Sequence, residues 1–551
     1  MKNKKKIAKI IIPVIAGISL LGGITTYMVL NGNIETSFVE SSNKEGKDES
    51  GIDWSKYKVY DIKLAGSNVK ITKAGVYNIT GTLKNGTITV DTNDNVKLVL
   101  NNTNITSKNN PAIYVKKAKN TYIELKGKNK INSTTTNTLD AAIYSKDDLY
   151  LYGKGSIEIN SNKDGISSKD DLYILSGNYT INSDGDGIKG KDSVTIIKGE
   201  YTITSKQDGI KTANEEKKGE ILIEDASFKI TANNDGITSS SNIVINGGKY
   251  KISSGTTKSE ESQKGIKAVK TLTINNGDFT ITSIDDTIHS NDSITINNGT
   301  FKLSSGDDGI HADNTVAIKK GTVSIEKSSE EIEAYKINLE GGDISVTASD
   351  DGINIGGGND NSGSANGRKD GFDQDNGGLL TTSGGNIYVN ADGDGLDSNG
   401  SIKMTGGVVH VDGPTNNGNG ALDYNGEFTI SGGELIAVGS SGMVQNVSNT
   451  STQNTILINL DTQTSGDISL GNITYSPKKN YQSVLISSSS LELNKEYTLK
   501  TGSKQQSISL TNTVSSSGNT QAMGNGMNRG MPNGEMSEGG MQRGGMRGGQ
   551  R

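Results

Sequence analysis

The sequence predicts an all-β chain wound as a right-handed parallel β-helix, a solenoid with a C-terminal β cap, and three observations predict it. The first is a unit of about 22 residues that recurs from Asp164 onward. Asp164-Gly165-Ile166, Asp186-Gly187-Ile188 and Asp208-Gly209-Ile210 are evenly spaced. After two longer turns the step returns at Asp286-Thr287-Ile288 and Asp308-Gly309-Ile310, with related triplets at Asp235-Gly236-Ile237, Asp351-Gly352-Ile353 and Asp394-Gly395-Leu396. So short a unit has no core of its own and must bury its apolar side against its neighbours. The second is alternation: Leu172 and Ile174, Tyr179 and Ile181, then Val194, Ile196, Tyr201 and Ile203 keep the two-residue period of strands. The third is composition, since 31% hydrophobic residues and 71 glycines suit a narrow core with many turns.

Each unit reads as three short strands and three turns. Turns such as Leu175-Ser176-Gly177-Asn178 separate the strands, and the Asp-Gly step is itself read as a turn in which Gly takes positive φ without a Cβ clash. Strands returning to one face pair in parallel and in register, about 4.8 Å apart, and such crossovers are overwhelmingly right-handed. Units from Ile113 to Leu422 make roughly 13 coils, with one or two more from Val69 to Ile105, a rod on the order of 60–70 Å long.

The ends differ in character. Lys2, Lys4, Lys5, Lys6 and Lys9 precede an uncharged run from Ile10 to Leu30, long enough to span a bilayer, so residues 1–30 read as a membrane anchor or a cleaved signal. Either places the protein outside the cell, at its surface or secreted. No Cys is present, which removes disulfides and a lipid-modified cysteine. Residues 31–52 read as a flexible stalk, 53–447 as the β-helix with an insertion at 356–378, 448–514 as a cap over an otherwise open strand edge, and 515–551 as a Gly/Met/Arg-rich tail. The tail's methionines suit soft Cu(I) or simply a disordered segment. With a net charge of −6, nucleic acid is not an expected partner, and a monomer is expected.

In-register stacking puts like-charged Asp residues about 4.8 Å apart, worth roughly 0.9 kcal/mol of repulsion in water and roughly 3.5 kcal/mol at a dielectric near 20. Several rungs double the acid: Asp184 with Asp186, Asp285 with Asp286, Asp307 with Asp308, Asp350 with Asp351, and Asp392 with Asp394. Ca²⁺ between coils would turn that repulsion into cross-linking, which makes Asp285, Asp286, Asp307, Asp308, Asp350, Asp351, Asp392 and Asp394 candidate ligands. The alternative is that they bond turn amides and stay solvated. The insertion adds Asp360, Asp370, Asp373 and Asp375, a fragment of a calcium-loop pattern.

The residue after each Ile is expected to point outward. Down the rod it reads Ser167, Lys189, Lys211, Thr238, Lys267, His289, His311, Glu333, Asn354, Asp397 and Asp423, a cationic stripe giving way to an acidic one. Lys189, Lys211 and Lys267 at coil spacing could meet the carboxylates of an acidic polysaccharide, or could relieve the Asp ladder. His289 and His311 are a weaker metal pair. Tyr179, Tyr201, Tyr250, Phe279 and Phe301 fall on the inward phase and read as a stacked core ladder. Tyr144, Tyr150, Tyr152 and Tyr173 fall on the opposite phase, are expected to be exposed, and are the candidates for sugar contact, Tyr144, Tyr150 and Tyr173 above all.

The run from Asp351 to Asp360, Ala391-Asp392-Gly393-Asp394-Gly395-Leu396-Asp397-Ser398-Asn399-Gly400-Ser401-Ile402, the run from Gly413 to Tyr424, and Gly439-Ser440-Ser441-Gly442-Met443 resemble a bacterial family of carbohydrate-binding β-helix proteins. The resemblance covers most of residues 53–503 and extends to the tail. It implies a calcium-binding, pectate-lyase-like right-handed β-helix that adheres to plant polysaccharides, chiefly polygalacturonate and also cellulose, without cleaving them. The rival readings are a polysaccharide lyase or hydrolase on the same scaffold and a structural surface adhesin. Gly306-Asp307-Asp308-Gly309-Ile310 is like the paired-aspartate segment of polygalacturonases, but no Gly-His-Gly follows, and Arg368 is the sole Arg outside the tail. A Lys base such as Lys189 or Lys211 is the remaining catalytic option.

Overall fold

The structure, a computed structural model, describes residues 37–41, 46–66, 68–136, 138–214, 218–356 and 377–518. The anchor or signal segment, most of the insertion at 356–378 with its four Asp residues, and the Met-rich tail lie outside the described residues. Among the described residues, no helix is long and apolar enough to cross a membrane.

Among the described residues strands dominate, and one short 3-10 turn, Trp54–Lys56, is the exception. The strands form a β-helix-like solenoid in which each coil contributes to three faces. The first face carries the Ile-x motif: Asp164–Ser168, Ile188–Gly190, Ile210–Thr212, Ile237–Ser239, Ile266–Ala268 and Ile288–Ser290 pair in parallel, one upon the next. The same face continues upstream to Val69–Ile71 and downstream to Leu422–Tyr424. The second face stacks Asp171–Ile174 on Ser193–Ile196, and the third stacks Asn178–Ser183 on Glu200–Ser205. Burial along the third-face strands alternates strictly, as in Glu200–Ser205, because every second side chain enters the core.

The core is a set of ladders of like residues. Ile166, Ile188, Ile210 and Ile237 are fully buried one above another. Tyr179, Tyr201, Phe228, Tyr250, Phe279 and Phe301 stack with centroids 4.5–5.2 Å apart, all buried, as the inward phase implies. Their geometry is offset stacking at the coil spacing. The hydroxyls leave the core at its corner: Tyr179 and Tyr250 donate to the carbonyls of Ser176 and Gly247 at 2.9 and 2.8 Å.

Glycine acts differently from the expectation at the Asp-Gly step. Gly187 has no positive φ; a Cβ there would lie 2.5 Å from the Gly209 carbonyl and 2.5 Å from an Ile203 methyl of neighbouring strands. Coil-to-coil crowding, not turn conformation, selects Gly. Positive φ occurs instead at the entry to the third face, as at Gly199 with φ 133°.

Two segments depart from the predicted boundaries. Ser37–Ser41 pairs antiparallel with Val59–Leu64, so part of the expected stalk takes the open edge of the first coil. Residues 46–52 also lie on the solenoid: Asp48 accepts from Lys97 Nζ at 2.7 Å and from the Tyr152 hydroxyl at 2.6 Å, and Ser176 Oγ donates to Glu49 at 2.6 Å. These bonds and the burial of Trp54 against Tyr122 hold the segment down. At the other end, Glu434–Gly439 pairs antiparallel with Tyr481–Ser488, which pairs antiparallel with Thr455–Thr464. Val514–Ser517 joins this sheet, so residues 515–517 belong to strand and not to the tail. A separate antiparallel sheet holds Ile468–Leu470, Ile473–Tyr475, Glu496–Thr501 and Lys504–Ser509.

Candidate functional site

The position after each Ile forms one continuous row on the first face. Tyr144, Ser167, Lys189, Lys211, Thr238, Lys267, His289, His311, Glu333, Asn354, Asp397 and Asp423 are successive register partners. Beside it runs the Asp ladder, which is deeply buried. Asp186 and Asp286 are 0% exposed. The Oδ1 of each Asp accepts the backbone N–H of the corresponding residue one coil on: Asp164 from Asp186 (2.8 Å), Asp186 from Asp208 (3.1 Å), Asp208 from Asp235 (2.9 Å) and Asp286 from Asp308 (3.1 Å). The turn-amide bonding is therefore present, but the carboxylates are not solvated; their second oxygens need cations or protons.

In the N-terminal half the cations are side chains of the same face. Lys189 Nζ lies 2.6 Å from Asp186 and 3.5 Å from Asp164, and Lys211 Nζ lies 2.5 Å from Asp208. Both lysines neutralise the ladder, so they are not free anchors for a polymer. Burial and the charge of Asp186 push Asp164 up to about 6 despite Lys189. Lys264 occupies an Asp slot of the repeat, a residue the sequence reading overlooked although Lys264-Gly265-Ile266 fits the motif. Its ammonium sits 2.9 Å from Asp285 and 2.5 Å from Asp286. Burial would raise Asp286, but the His289 hydrogen bond at 2.7 Å and Lys264 hold it well below the usual carboxylate range. His311 is buried, yet Asp308 at 3.2 Å, with Asp286 and Glu333, pushes its pKa up to about 10.

Beyond His311 the row becomes acidic. Burial and Glu330 push Glu333 up to about 9; burial and neighbouring carboxylates raise Asp351 to about 7, Asp394 to about 6 and Asp397 to about 8. Carboxylate oxygens of Asp394, Asp397 and Asp423 lie within 4.8 Å of one another. Asp285, Asp286 and Asp307 form a similar group, but the Lys264 ammonium already serves it. Asp308 groups with His311 and Glu333. Asp350, Asp351 and Asp392 join none of these groups. Asp350 is exposed, Asp351 Oδ1 accepts the Asp394 N–H at 2.6 Å, and Asp392 is 72% exposed and paired with Lys479 at 2.7 Å. Asp397 and Asp423, predicted only as outward residues, stand in the group instead.

The tyrosines are a correction. Tyr144 and Tyr152 are 6% and 1% exposed, the first beside Tyr114 and the second under the Asp48 segment. Tyr122, Tyr150 and Tyr173 stack face to face with centroids 4.7 and 4.6 Å apart. Tyr150 lies between two rings and presents its edge where a sugar would need a face, while Tyr173 ends the stack with one face against Tyr150, and both are half-buried.

Where Thr238 interrupts the lysines, a half-open groove of about 300 Å³ is lined by Lys211, Asp235, Thr238, Ser262, Lys267 and Val269. Lys267 differs from the other two lysines: its ammonium donates to Ser262 Oγ at 3.0 Å and, among the described residues, pairs with no carboxylate.

Residues 65–309 match a family model described as carbohydrate-binding domain-containing protein. A protein of Acetivibrio thermocellus with the same description is 34% identical over 172 residues, 29% of this chain; the chain spans 57% of that relative's length. A solved structure described as the polysaccharide lyase-like protein from C. thermocellum, a gadolinium derivative, is 28% identical, with 48% of this chain and 95% of that one covered at a TM-score of 0.33.

Proposed function

We propose that this chain binds acidic polysaccharide of the plant type, polygalacturonate first and cellulose beside it, along its first face, without cleaving it and with Ca²⁺ held at the acidic end. The observation that carries the reading is the single in-register row on the first face, in which Lys267, paired with no carboxylate among the described residues, and the acids Asp397 and Asp423 stand within and beyond the span matched to a carbohydrate-binding domain. Its rung spacing of about 4.8 Å is close to one sugar residue, so repeated weak contacts give avidity along a polymer.

The donor set at Asp394, Asp397 and Asp423 fits a hard divalent cation: oxygens only and close together, with burial and the neighbouring carboxylates raising Asp394 and Asp397. Calcium there would supply the positive charge that Lys189 and Lys211 supply further up. Two observations favour binding over lysis. Lys189 and Lys211, the candidate bases, have pKa values raised by Asp164, Asp186 and Asp208 against the effect of burial, opposite to what a general base needs. The acids of the ladder beside the row serve as backbone acceptors, which fixes them structurally. The C-terminal sheets act as the cap of the rod, and the segment preceding residue 37 ties it to the cell surface.

The test is retention of the protein on polygalacturonate and on cellulose with and without chelator. Loss of retention on chelation, and weakening by salt on polygalacturonate alone, is expected. Retention on neither polymer would sink the reading.

A further inference from the structure

We infer that the groove at Thr238 is a subsite for one uronate residue of a polysaccharide, with Lys267 receiving its carboxylate and Asp235 its hydroxyls. The inference rests on the polysaccharide reading above and specifies where along the face a negatively charged sugar is gripped.

The groove comes from two irregularities in the repeat. The step from Asp208 to Asp235 is 27 residues and that from Asp235 to Lys264 is 29, against 22 for Asp164 to Asp186. The additional residues of the longer step leave the sheet after Ser254 and return past Ser262, which lines the groove, while Thr212 and Ala213 line it on the other side. Between the walls the floor is emptied by one substitution. In the two preceding coils the residue three after the ladder Asp is a lysine whose ammonium closes over it, Lys189 over Asp186 and Lys211 over Asp208. In the coil of Asp235 that residue is Thr238, whose short side chain leaves the space open.

The groove is lined by Asp208, which Lys211 neutralises, by the carboxylates of Asp235 and Glu261, and by Lys267, whose ammonium is the point that can meet a uronate carboxylate. Asp235 uses Oδ1 to accept the Lys264 N–H at 2.9 Å, and its Oδ2 has no hydrogen-bond partner among the described residues, so an acceptor is left for sugar hydroxyls. Lys267 brings a positive charge that, among the described residues, is held by the Ser262 hydroxyl and by no carboxylate. Val269, one of the few large apolar side chains that stand exposed (44%), and the Thr238 methyl offer an apolar surface to the ring's C–H groups. A volume of about 300 Å³ is at the small end of ligand sites and suits a single sugar residue within a chain that continues along the face. A neutral sugar would leave the Lys267 charge without a counterpart, which is why the site selects uronates.

Two variants of the full chain test this by calorimetric titration with trigalacturonate and, in parallel, cellotriose. Thr238→Lys restores the residue that neighbouring coils carry, so it preserves the fold while its ammonium fills the groove and pairs with Asp235. Lys267→Gln removes the charge and keeps the length. Each is expected to weaken trigalacturonate binding roughly ten- to a hundredfold, the range for losing a charged hydrogen bond, with melting within a few degrees of the parent. If the parent retains polygalacturonate and both variants bind trigalacturonate as the parent does, the subsite is overturned while the polysaccharide reading stands. If the parent retains no polymer, the underlying reading falls and the subsite with it. An equal loss for cellotriose would overturn the selection of uronates.

Discussion

Replacing Lys264 by Gln tests whether cations govern the buried Asp ladder. Lys264 is 4% exposed and its ammonium lies 2.9 Å from Asp285 and 2.5 Å from Asp286, the latter fully buried. Removing one partner of a buried ion pair costs about 3–5 kcal/mol, because the remaining charge has neither water nor a counter-ion. His289 still donates to Asp286 at 2.7 Å, which places the expected loss at the lower end, about 3 kcal/mol. Asp286 has a depressed folded pKa, so its contribution is present above the ordinary carboxylate range and disappears as pH falls through the folded value. The deficit of the variant should therefore shrink on acidification. The vacated group of Asp285, Asp286 and Asp307 would become an all-oxygen site, so Ca²⁺ should stabilise the variant more than the parent; at a hundredfold excess over its Kd the gain is about 2.7 kcal/mol. Urea unfolding followed by circular dichroism reads the global effect. Hydrogen exchange at Ile266–Ala268 and Ile288–Ser290 reads local opening, which a solenoid permits. An unchanged midpoint and exchange rate, or an identical calcium response in both proteins, would refute the reasoning.

Three further outcomes are expected. Deleting Asp186 to Gln207 brings Asp208 to the Asp164 Oδ1 that now accepts from Asp186, so a folded rod one coil shorter should result; loss of cooperative unfolding by circular dichroism would count against the repeat. Asp351, Asp394 and Asp397, raised to about 7, 6 and 8, bind more protons folded than unfolded between roughly pH 4 and 8, so stability without calcium falls as pH rises through that window. Calcium should flatten the fall in melting temperature, and a rise with pH in chelator would contradict the assignment. Changing Tyr150 and Tyr173 to Leu together should lower stability by about 1–3 kcal/mol in urea unfolding. It should leave polygalacturonate affinity unchanged, and a large affinity loss would restore these rings as sugar platforms.

The parallel solenoid was legible because the repeat, the two-residue alternation and the aromatic ladder all state the same constraint, a side chain every second residue stacked on its like. The site was legible as a row and misread as a surface. Periodicity gives the phase of Lys189 or Tyr144 but not what neighbouring coils lay over it, and the buried Asp residues draw the lysines down onto themselves. Lys264 escaped notice because it stands where the repeat has Asp, and its partners are set by a coil 21 and 22 residues away. Asp397 and Asp423 were marked as outward residues, but their convergence with Asp394 needs the register of three coils. Tyr150 shows the same limit: outward phase was correct, while stacking between Tyr122 and Tyr173 takes both faces that would make it useful to a sugar.

The most direct test of the account is one incubation of the full chain with polygalacturonate in calcium and in chelator, following co-sedimentation and absorbance of unsaturated products together. Co-sedimentation in calcium, its loss in chelator, and a flat absorbance throughout are expected. A time-dependent rise in unsaturated products would make the protein a lyase, and co-sedimentation indifferent to chelator would remove calcium from the mechanism.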